Sequence, residues 1–383
     1  MTSTITVLGS GLVGSAIIKD LATQSSFSIV AVDLSEVSLS KVAGIPRVTT
    51  RQGSVKDDSF LSEVCQGADL VINAVPGFMG FECLKSLILL RKNVVDISFF
   101  PEDAFDLNQL ALDNDVTAVV DCGVAPGLCN IQAGYVQNKM NSVHSYLCYV
   151  GGLPRERTWP FEYKAVFSPI DVIEEYTRPA RFVEHGELVT KPALTDLEKI
   201  DFPGVGTLES FNTDGLRSLI FTLKAPHKKE KTLRYPGHVE LMRAFRESGF
   251  FKTDPVEIGG QSVVPLELTS KLLFDQWKLG PGEEDLTVMQ VTMMGEEKGQ
   301  KVRYTFDLLD YFDRETDIHS MARTTGYTCT IVARQVLSGL FGRKGICPPE
   351  YIGETPGCYD DLKLQYAKRG IHIREQRTLI DQF

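Results

Sequence analysis

The hydrophobic pattern divides the chain into two stretches of different character. Through the first 125 residues, short unbroken apolar runs alternate with helical patterns. The runs fall at about 4–8, 28–33, 47–51, 69–74, 93–97 and 117–122, and the helices at about 12–24, 57–66, 79–91 and 103–114. Runs such as Leu70-Val71-Ile72 and Ala118-Val119-Val120 lack the alternation of a half-exposed strand. They predict a parallel sheet buried on both faces, joined by right-handed crossovers into a doubly wound α/β domain.

The pattern changes around Gly123-Val124-Ala125-Pro126-Gly127. A helix is expected from Gly127 to Met140, followed by strands of alternating character at Val143–Val150, Ser218–Leu223, Leu286–Met293 and Val302–Leu309. Turn-rich connections such as Phe202-Pro203-Gly204 separate them, which predicts a second, α+β domain. After Asp317 come helices at about Tyr327–Leu340 and Tyr359–Lys368 and a short terminal strand. Periodicity alone does not assign this tail to either domain.

Composition narrows the function. A chain of 383 residues suits two domains, and 43% hydrophobic residues suffice for a sizeable core. The net charge of -10 argues against nucleic acid or an anionic membrane as the main partner. The basic run Lys224 to Arg234, broken by Pro226 and Glu230, reads as a solvated hairpin loop. The acidic stretches Glu283–Asp285 and Asp307–Asp317 read as solvated faces. No segment has the ~20 apolar residues needed to cross a bilayer, and the start lacks the pattern of a secretory leader. None of the eight cysteines forms a C-x-x-C pair, and His144/Cys148 is the only close His/Cys pair. Reduced thiols, no metal and a cytoplasmic location are therefore expected.

The strongest chemical signal lies in Gly9-Ser10-Gly11-Leu12-Val13-Gly14, a G-x-G-x-x-G directly after a strand and opening a helix. Gly9 permits the tight turn, Gly11 lets backbone approach a pyrophosphate, and Gly14 lets helix and strand pack closely. The next apolar run ends in Asp33, nineteen residues after Gly14, where a ribose-binding carboxylate belongs. Such a carboxylate repels a 2′-phosphate, so NAD is the expected cofactor. The competing account is a plain tight turn, with Asp33 capping the next helix.

Ligands of an open parallel sheet sit beyond the carboxyl ends of its strands. Asn73-Ala74-Val75-Pro76-Gly77, Asp96-Ile97-Ser98-Phe99 and Asp121-Cys122-Gly123 all end such strands. They either line the nicotinamide side of a cleft or form ordinary turns. In the second domain, Thr232-Leu233-Arg234-Tyr235-Pro236-Gly237-His238 offers a guanidinium for a substrate carboxylate and two proton acceptors, Tyr235 and His238. The alternative is a structural ion pair at Arg234 and a helix cap at His238. The segment Met321 to Tyr327 opens a helix with hydroxyls and a glycine, either to contact ligand or to cap the helix.

In their order along the chain, these motifs, with Thr213-Asp214-Gly215 and Thr325-Gly326, resemble the saccharopine dehydrogenase-like family over essentially the whole length. Gly123–Gly127 and Met321–Gly326 look most like its lysine 6-dehydrogenase branch, which oxidises the ε-amine of L-lysine with NAD. The resemblance implies a Rossmann doubly wound domain of residues 1–125 completed by 320–383. It implies an inserted α+β domain, 126–319, carrying substrate groups and the interface of a homodimer. Gly9, Gly11, Leu12, Val13 and Gly14 would hold the pyrophosphate, Asp33 the ribose, and Asn73, Ala74, Val75 and Pro76 the nicotinamide side. Asp57 would reach the adenine, unless it caps a helix. Arg234, Asp214 and Thr325 would bind an amino-acid substrate, while His238, Tyr235, Asp96 and Asp214 compete as proton acceptor. Ala125 stands where saccharopine reductases are expected to carry an acid, which favours a smaller substrate. Saccharopine dehydrogenase or carboxy-polyamine synthase chemistry is the alternative. A non-catalytic NAD(H)-binding regulator, using the basic run as its partner surface, is a more distant one.

Overall fold

The computed structural model describes residues 2–166, 169–280 and 282–383, and the chain falls into two compact units. Unit 1 comprises Met1–Asn138 and Ala322–His372; unit 2 comprises Lys139–Met321 and Ile373–Phe383.

Unit 1 begins with β1 (Ser3–Leu8), α1 (Leu12–Ala22), β2 (Phe27–Asp33), α2 (Glu36–Ser40), β3 (Val48–Gln52), α3 (Asp58–Cys65) and β4 (Leu70–Asn73). It continues through α4 (Gly77–Leu89), β5 (Val94–Asp96), a 3-10 turn at Ala104–Leu107, α5 (Asn108–Asp113), β6 (Thr117–Val119) and α6 (Leu128–Gln137). The six strands lie in the order β6-β5-β4-β1-β2-β3, every pair parallel. The strand order reverses between β1 and β4, which opens the sheet's carboxyl edge at that point. Every residue of β4, β5 and β6 is buried, as their unbroken apolar character requires. Val71, Leu84, Leu87, Val94, Phe100 and Ala118 belong to one core on this sheet. Each large apolar side chain there is worth roughly 1.5–3 kcal/mol.

Unit 2 runs from β7 (Ser142–Pro154) and α7 (Pro169–Thr177) through β8 (Ala180–Glu184), β9 (Glu187–Lys191), β10 (Glu198–Phe202), β11 (Gly206–Asn212) and α8 (Leu219–Thr222). Then come β12 (His227–Arg234), α9 (His238–Glu247), β13 (Val256–Ile258), β14 (Gln261–Val263), α10 (Pro265–Trp277), β15 (Asp285–Glu297) and β16 (Gln300–Tyr311). Its main sheet is mixed: β12 pairs with β7 in parallel, while β7–β15 and β15–β16 are antiparallel.

Ser218–Leu223 is not a strand but the short helix α8 and its flanks; an apolar run this short does not distinguish a strand from a buried helical turn. Its neighbour, the basic run, is no solvated loop. Residues His227–Arg234 form an inner strand, and Lys228 and Lys231 are buried. The Lys228 ammonium donates to the carbonyls of Leu219, Ile220 and Leu223, closing the end of α8. Lys231 pairs with Glu198 and donates to the Asp196 carbonyl. Satisfied in this way, these two cations enter the sheet.

The return begins with α11 (Ser320–Ser338), which starts seven residues before the expected helix at Tyr327. Asp285 explains the early start. It is fully buried rather than solvated, and it accepts from the amides of Ser320 and Met321, capping the helix. Beyond α11, β17 (Gly345–Cys347) adds to the parallel sheet beside β6, followed by α12 (Glu350–Glu354) and α13 (Cys358–Lys368). In unit 1 the buried Asp20 of α1 pairs with Arg334 and Arg369, and the Thr330 hydroxyl donates to it. The two guanidiniums hold that carboxyl below its usual range despite the burial. The last strand, β18 (Ile373–Leu379), pairs antiparallel with β16 and so belongs to unit 2. The division therefore falls after α6 rather than at residue 125, and the terminal residues do not stay with unit 1.

All eight cysteines are buried free thiols, and none of the described helices is long and apolar enough to cross a membrane.

Candidate active site

The turn after β1 is shaped by close packing. Gly9 has φ +100°, and a Cβ on it would lie 2.4 Å from the Ala74 carbonyl oxygen. A Cβ on Gly14 would lie 2.1 Å from the Gly9 carbonyl oxygen. Both positions therefore exclude a side chain. Gly11 is different: a Cβ there would meet nothing within 4 Å, so the N-terminus of α1 opens onto free space. Its first amides have no partner within the helix and point toward the end where anions are favoured.

Asp33, at the end of β2, turns toward this turn rather than capping α2. Its Oδ2 accepts from the Ser10 amide at 2.7 Å and its Oδ1 from the Ser35 amide at 2.8 Å. The cap of α2 is Ser35 itself. Two buried polar atoms nearby have no partner among the described residues: Ser10 Oγ in the turn and Asn73 Oδ1 at the end of β4. An open helix end, a fixed carboxylate and orphaned polar atoms fit a dinucleotide along this edge.

Asp57, by contrast, caps α3, accepting from the Ser59 hydroxyl and from the Phe60 and Ser59 amides; those bonds, the hydroxyl's foremost, hold its carboxyl below the usual range. The blander account of this residue is the one its contacts describe.

Next along the edge, the ends of β4 and β5 come together. The Asn73 amide donates to Asp96 Oδ2 at 2.6 Å, while the Ser98 hydroxyl and amide donate to Asp96 Oδ1 at 2.5 and 2.6 Å. Asp96 is wholly buried, and burial pushes its pKa up to about 7, against those three donors, with Asp121 adding to the rise. It is a carboxyl group able to hold or release a proton near neutrality. Burial likewise raises the Cys122 thiol, which is not a thiolate here. Thr325, on α11, lies beside Gly123: a Cβ on that glycine would stand 3.2 Å from its Cγ2.

In unit 2, the segment read as substrate-binding forms a buried cluster with residues distant in sequence. Arg234 retains 2% side-chain exposure. Its Nη2 donates to Glu175 at 2.5 Å, its Nε to the Tyr176 hydroxyl at 3.2 Å and its Nη1 to the Leu233 carbonyl at 2.9 Å. Its guanidinium lies 4.5 Å from the Tyr163 ring centroid. His238 is fully buried, with Nε2 on the Tyr176 hydroxyl at 2.8 Å and Nδ1 on the Phe161 carbonyl at 2.8 Å. Burial, with Arg234 adding to it, pushes its pKa down to about 3.

Two proton-acceptor candidates are thereby reassigned. His238 has both nitrogens engaged and resists protonation, so it positions Tyr176. Tyr235 donates to the Pro154 carbonyl beneath Arg157, and burial raises its pKa. Asp214 is taken up by a bidentate pair with Arg181, both oxygens at 2.9 Å, and does not join the Arg234 cluster. The sequence reading missed Tyr163, Glu175 and Tyr176. No local spacing marks them, since only the tertiary fold brings α7 to Arg234.

Comparison with known proteins agrees with this architecture. Residues 5–119 match the family described as Saccharopine dehydrogenase NADP binding domain, and residues 123–371 match Saccharopine dehydrogenase C-terminal domain. Mitochondrial alpha-aminoadipic semialdehyde synthase of Mus musculus is 25% identical over 450 residues, covering 98% of this chain and 48% of that protein. The chain thus spans about half the length of these relatives. Saccharopine dehydrogenase [NADP(+), L-glutamate-forming] of Saccharomyces cerevisiae is 23% identical over 453 residues, covering 98% of this chain and 99% of the enzyme. The solved apo structure of saccharopine dehydrogenase (L-Glu forming) from Saccharomyces cerevisiae shares the fold, with a TM-score of 0.80 at 21% identity. That match covers 98% of this chain and 100% of the other. With a nicotinamide-dinucleotide domain and a mixed-sheet second unit both accounted for, the chain belongs to the saccharopine dehydrogenase family.

Proposed function

We propose that the protein is an NAD-dependent dehydrogenase that oxidises the ε-amine of L-lysine or a close relative. One observation carries the reading. The carboxyl edge of a single parallel sheet holds both a dinucleotide turn closed by Asp33 and a buried carboxyl group, Asp96, titrating near neutrality. That is a cofactor site with a proton acceptor on the same edge.

The chemistry divides among the chain's own residues. Gly9 to Gly14 and the first turn of α1 receive the pyrophosphate, and Asp33 takes the adenosine ribose hydroxyls. Its negative charge disfavours a 2′-phosphate, which supports NAD over NADP. Bound there, the nicotinamide supplies the hydride acceptor. Asn73 and Ser98 hold Asp96 in one orientation, ready to take the proton that the substrate ammonium gives up. With the hydride acceptor bound, the carbon bearing the amine would give up hydride, and hydrolysis of the iminium so formed would release ammonia from an aldehyde. Arg234 supplies the positive charge for an amino-acid carboxylate, and Ala125, in place of an acid, supports a smaller substrate than saccharopine.

A second reading is oxidation of saccharopine itself, supported by coverage of 98% of this chain against the yeast enzyme of that name. Initial rates of reduced-nicotinamide formation separate the two. Purified protein is assayed with NAD and NADP against lysine, ornithine, simple diamines and saccharopine. Turnover of lysine with NAD is expected, and turnover of saccharopine alone would replace the first reading with the second.

A further inference from the structure

The main sheet of unit 2 ends on β18. That strand pairs with β16 on one side, and no other strand among the described residues pairs with it. The residues that follow it turn inward: the Ile380 amide donates to the Lys301 carbonyl, and the Phe383 ring stacks on His144 of β7. Leu379, at the end of the strand, is 62% exposed. We infer that this edge receives β18 of a second copy of the chain, joining two mixed sheets into one across a two-fold axis.

The backbone faces the right way for such a pairing. Antiparallel hydrogen bonds alternate along a strand. Because the Ile380 amide bonds to Lys301, the alternation directs Thr378, Gln376 and Arg374 toward β16 as well. Ile373, Glu375, Arg377 and Leu379 therefore turn their N–H and C=O groups to the open side. The strand is seven residues long, its register with β16 is unbroken, and it contains no proline. Natural sheets usually blunt such an edge with a bulge, a proline or a lysine, because it pairs readily with another extended chain.

The side chains select the partner. In a two-fold pairing that keeps each face of the sheet continuous, one residue lies opposite its own copy. Centred on Glu375, the pairing brings two carboxylates together; centred on Arg377, it brings two guanidiniums together. Centred on Gln376, Glu375 meets the partner's Arg377, Ile373 meets the partner's Leu379 and Arg374 meets the partner's Thr378. Symmetry repeats each contact, so charge and apolar surface both match in this register. It also makes hydrogen-bonded pairs of the residues that face outward, about eight main-chain bonds in all. Arg377 holds Glu297 at 2.7 Å, which keeps its guanidinium beside the strand. One strand pair buries less than a standard interface, so a reversible dimer with Kd on the order of micromolar is expected. The association needs neither cofactor nor substrate.

Sedimentation velocity of the full chain over a concentration series measures that Kd. Glu375→Arg sets arginine against arginine and should raise it about tenfold or more; Arg377→Glu should do the same with carboxylates. Mixing the two variants restores both pairs, and the mixture should dimerise about as tightly as the parent. Glu375→Pro removes only an outward N–H, leaves the bonds to β16 in place and should abolish the dimer. Thermal unfolding shows whether each variant is folded; where a charge reversal is not, the proline variant carries the test. A parent that stays monomeric across the series overturns the inference and leaves the edge to an extended segment of another protein. A dimer that none of the three substitutions weakens also overturns it, since its interface then lies elsewhere. Folded reversal variants that stay monomeric when mixed overturn the register, and the inference with it.

Discussion

The glycine turn of unit 1 and the Arg234 cluster of unit 2 both lie at the end of a β-strand, yet different things fix them. The turn is fixed by backbone: Gly9 and Gly14 leave no room for a Cβ, and Asp33 is tied to the Ser10 amide. The cluster is fixed by side chains, with Phe161, Tyr163, Glu175, Tyr176, Phe211 and Trp277 drawn around Arg234 and His238 from separate elements. A backbone-made site depends on a few consecutive residues and tolerates change elsewhere. A site made of side chains depends on its whole core, so packing damage and site damage coincide there.

The largest effect should come from breaking the second region at its aromatic wall. Trp277→Ala removes a fully buried ring that packs against Phe161, Tyr163 and Tyr176, and should cost about 3–5 kcal/mol in denaturant unfolding. A smaller loss would mean that the cluster repacks easily.

Glu230 tests the same region through pH. It is buried, accepts from the Thr213 hydroxyl and the Gly215 amide, and burial pushes its pKa from 4.5 to about 8. The folded state keeps this proton where the unfolded chain has lost it. Its contribution is therefore full below pH 4.5 and is lost as pH rises to about 8. Glu230→Gln should flatten the fall in stability across that window, by up to about 1.4 kcal/mol per pH unit. Parallel curves for the two proteins would contradict the assignment.

In unit 1 the effects should be smaller and more local. Gly14→Ala forces a methyl group against the Gly9 carbonyl and should cost about 1–3 kcal/mol, with cofactor affinity falling alongside. Stability lost with affinity intact would separate the turn's packing from its binding. Asp33→Ala should shift the preference for NAD over NADP by about tenfold, close to 1.4 kcal/mol, with little change in the unfolding midpoint. Unchanged discrimination would remove Asp33 from cofactor selection.

The same contrast explains what could be read from sequence. The strands of unit 1, the turn and Asp33 follow from local spacing, because each depends on neighbours within one βαβ unit. The basic run failed for the opposite reason. Lys228 and Lys231 enter a sheet only because the carbonyls of α8 and the Glu198 carboxylate satisfy them, and no periodicity shows that. Asp285 was misread in the same way: the amides it caps lie thirty-five and thirty-six residues onward. The sequence reads Arg234 as a carboxylate anchor and His238 as one of several possible proton acceptors. Their partners on α7 and α10 carry no sequence signal, so His238 looked like a base when it is a buried strut for Tyr176.

The most direct test of the account is a product balance. Ammonia, glutamate and reduced nicotinamide are measured together, with NAD, for lysine and for saccharopine. The account predicts one ammonia released per reduced nicotinamide from lysine, with no glutamate. Glutamate formed from saccharopine, with lysine inert, would contradict it and place the chain with the saccharopine-cleaving members of its family.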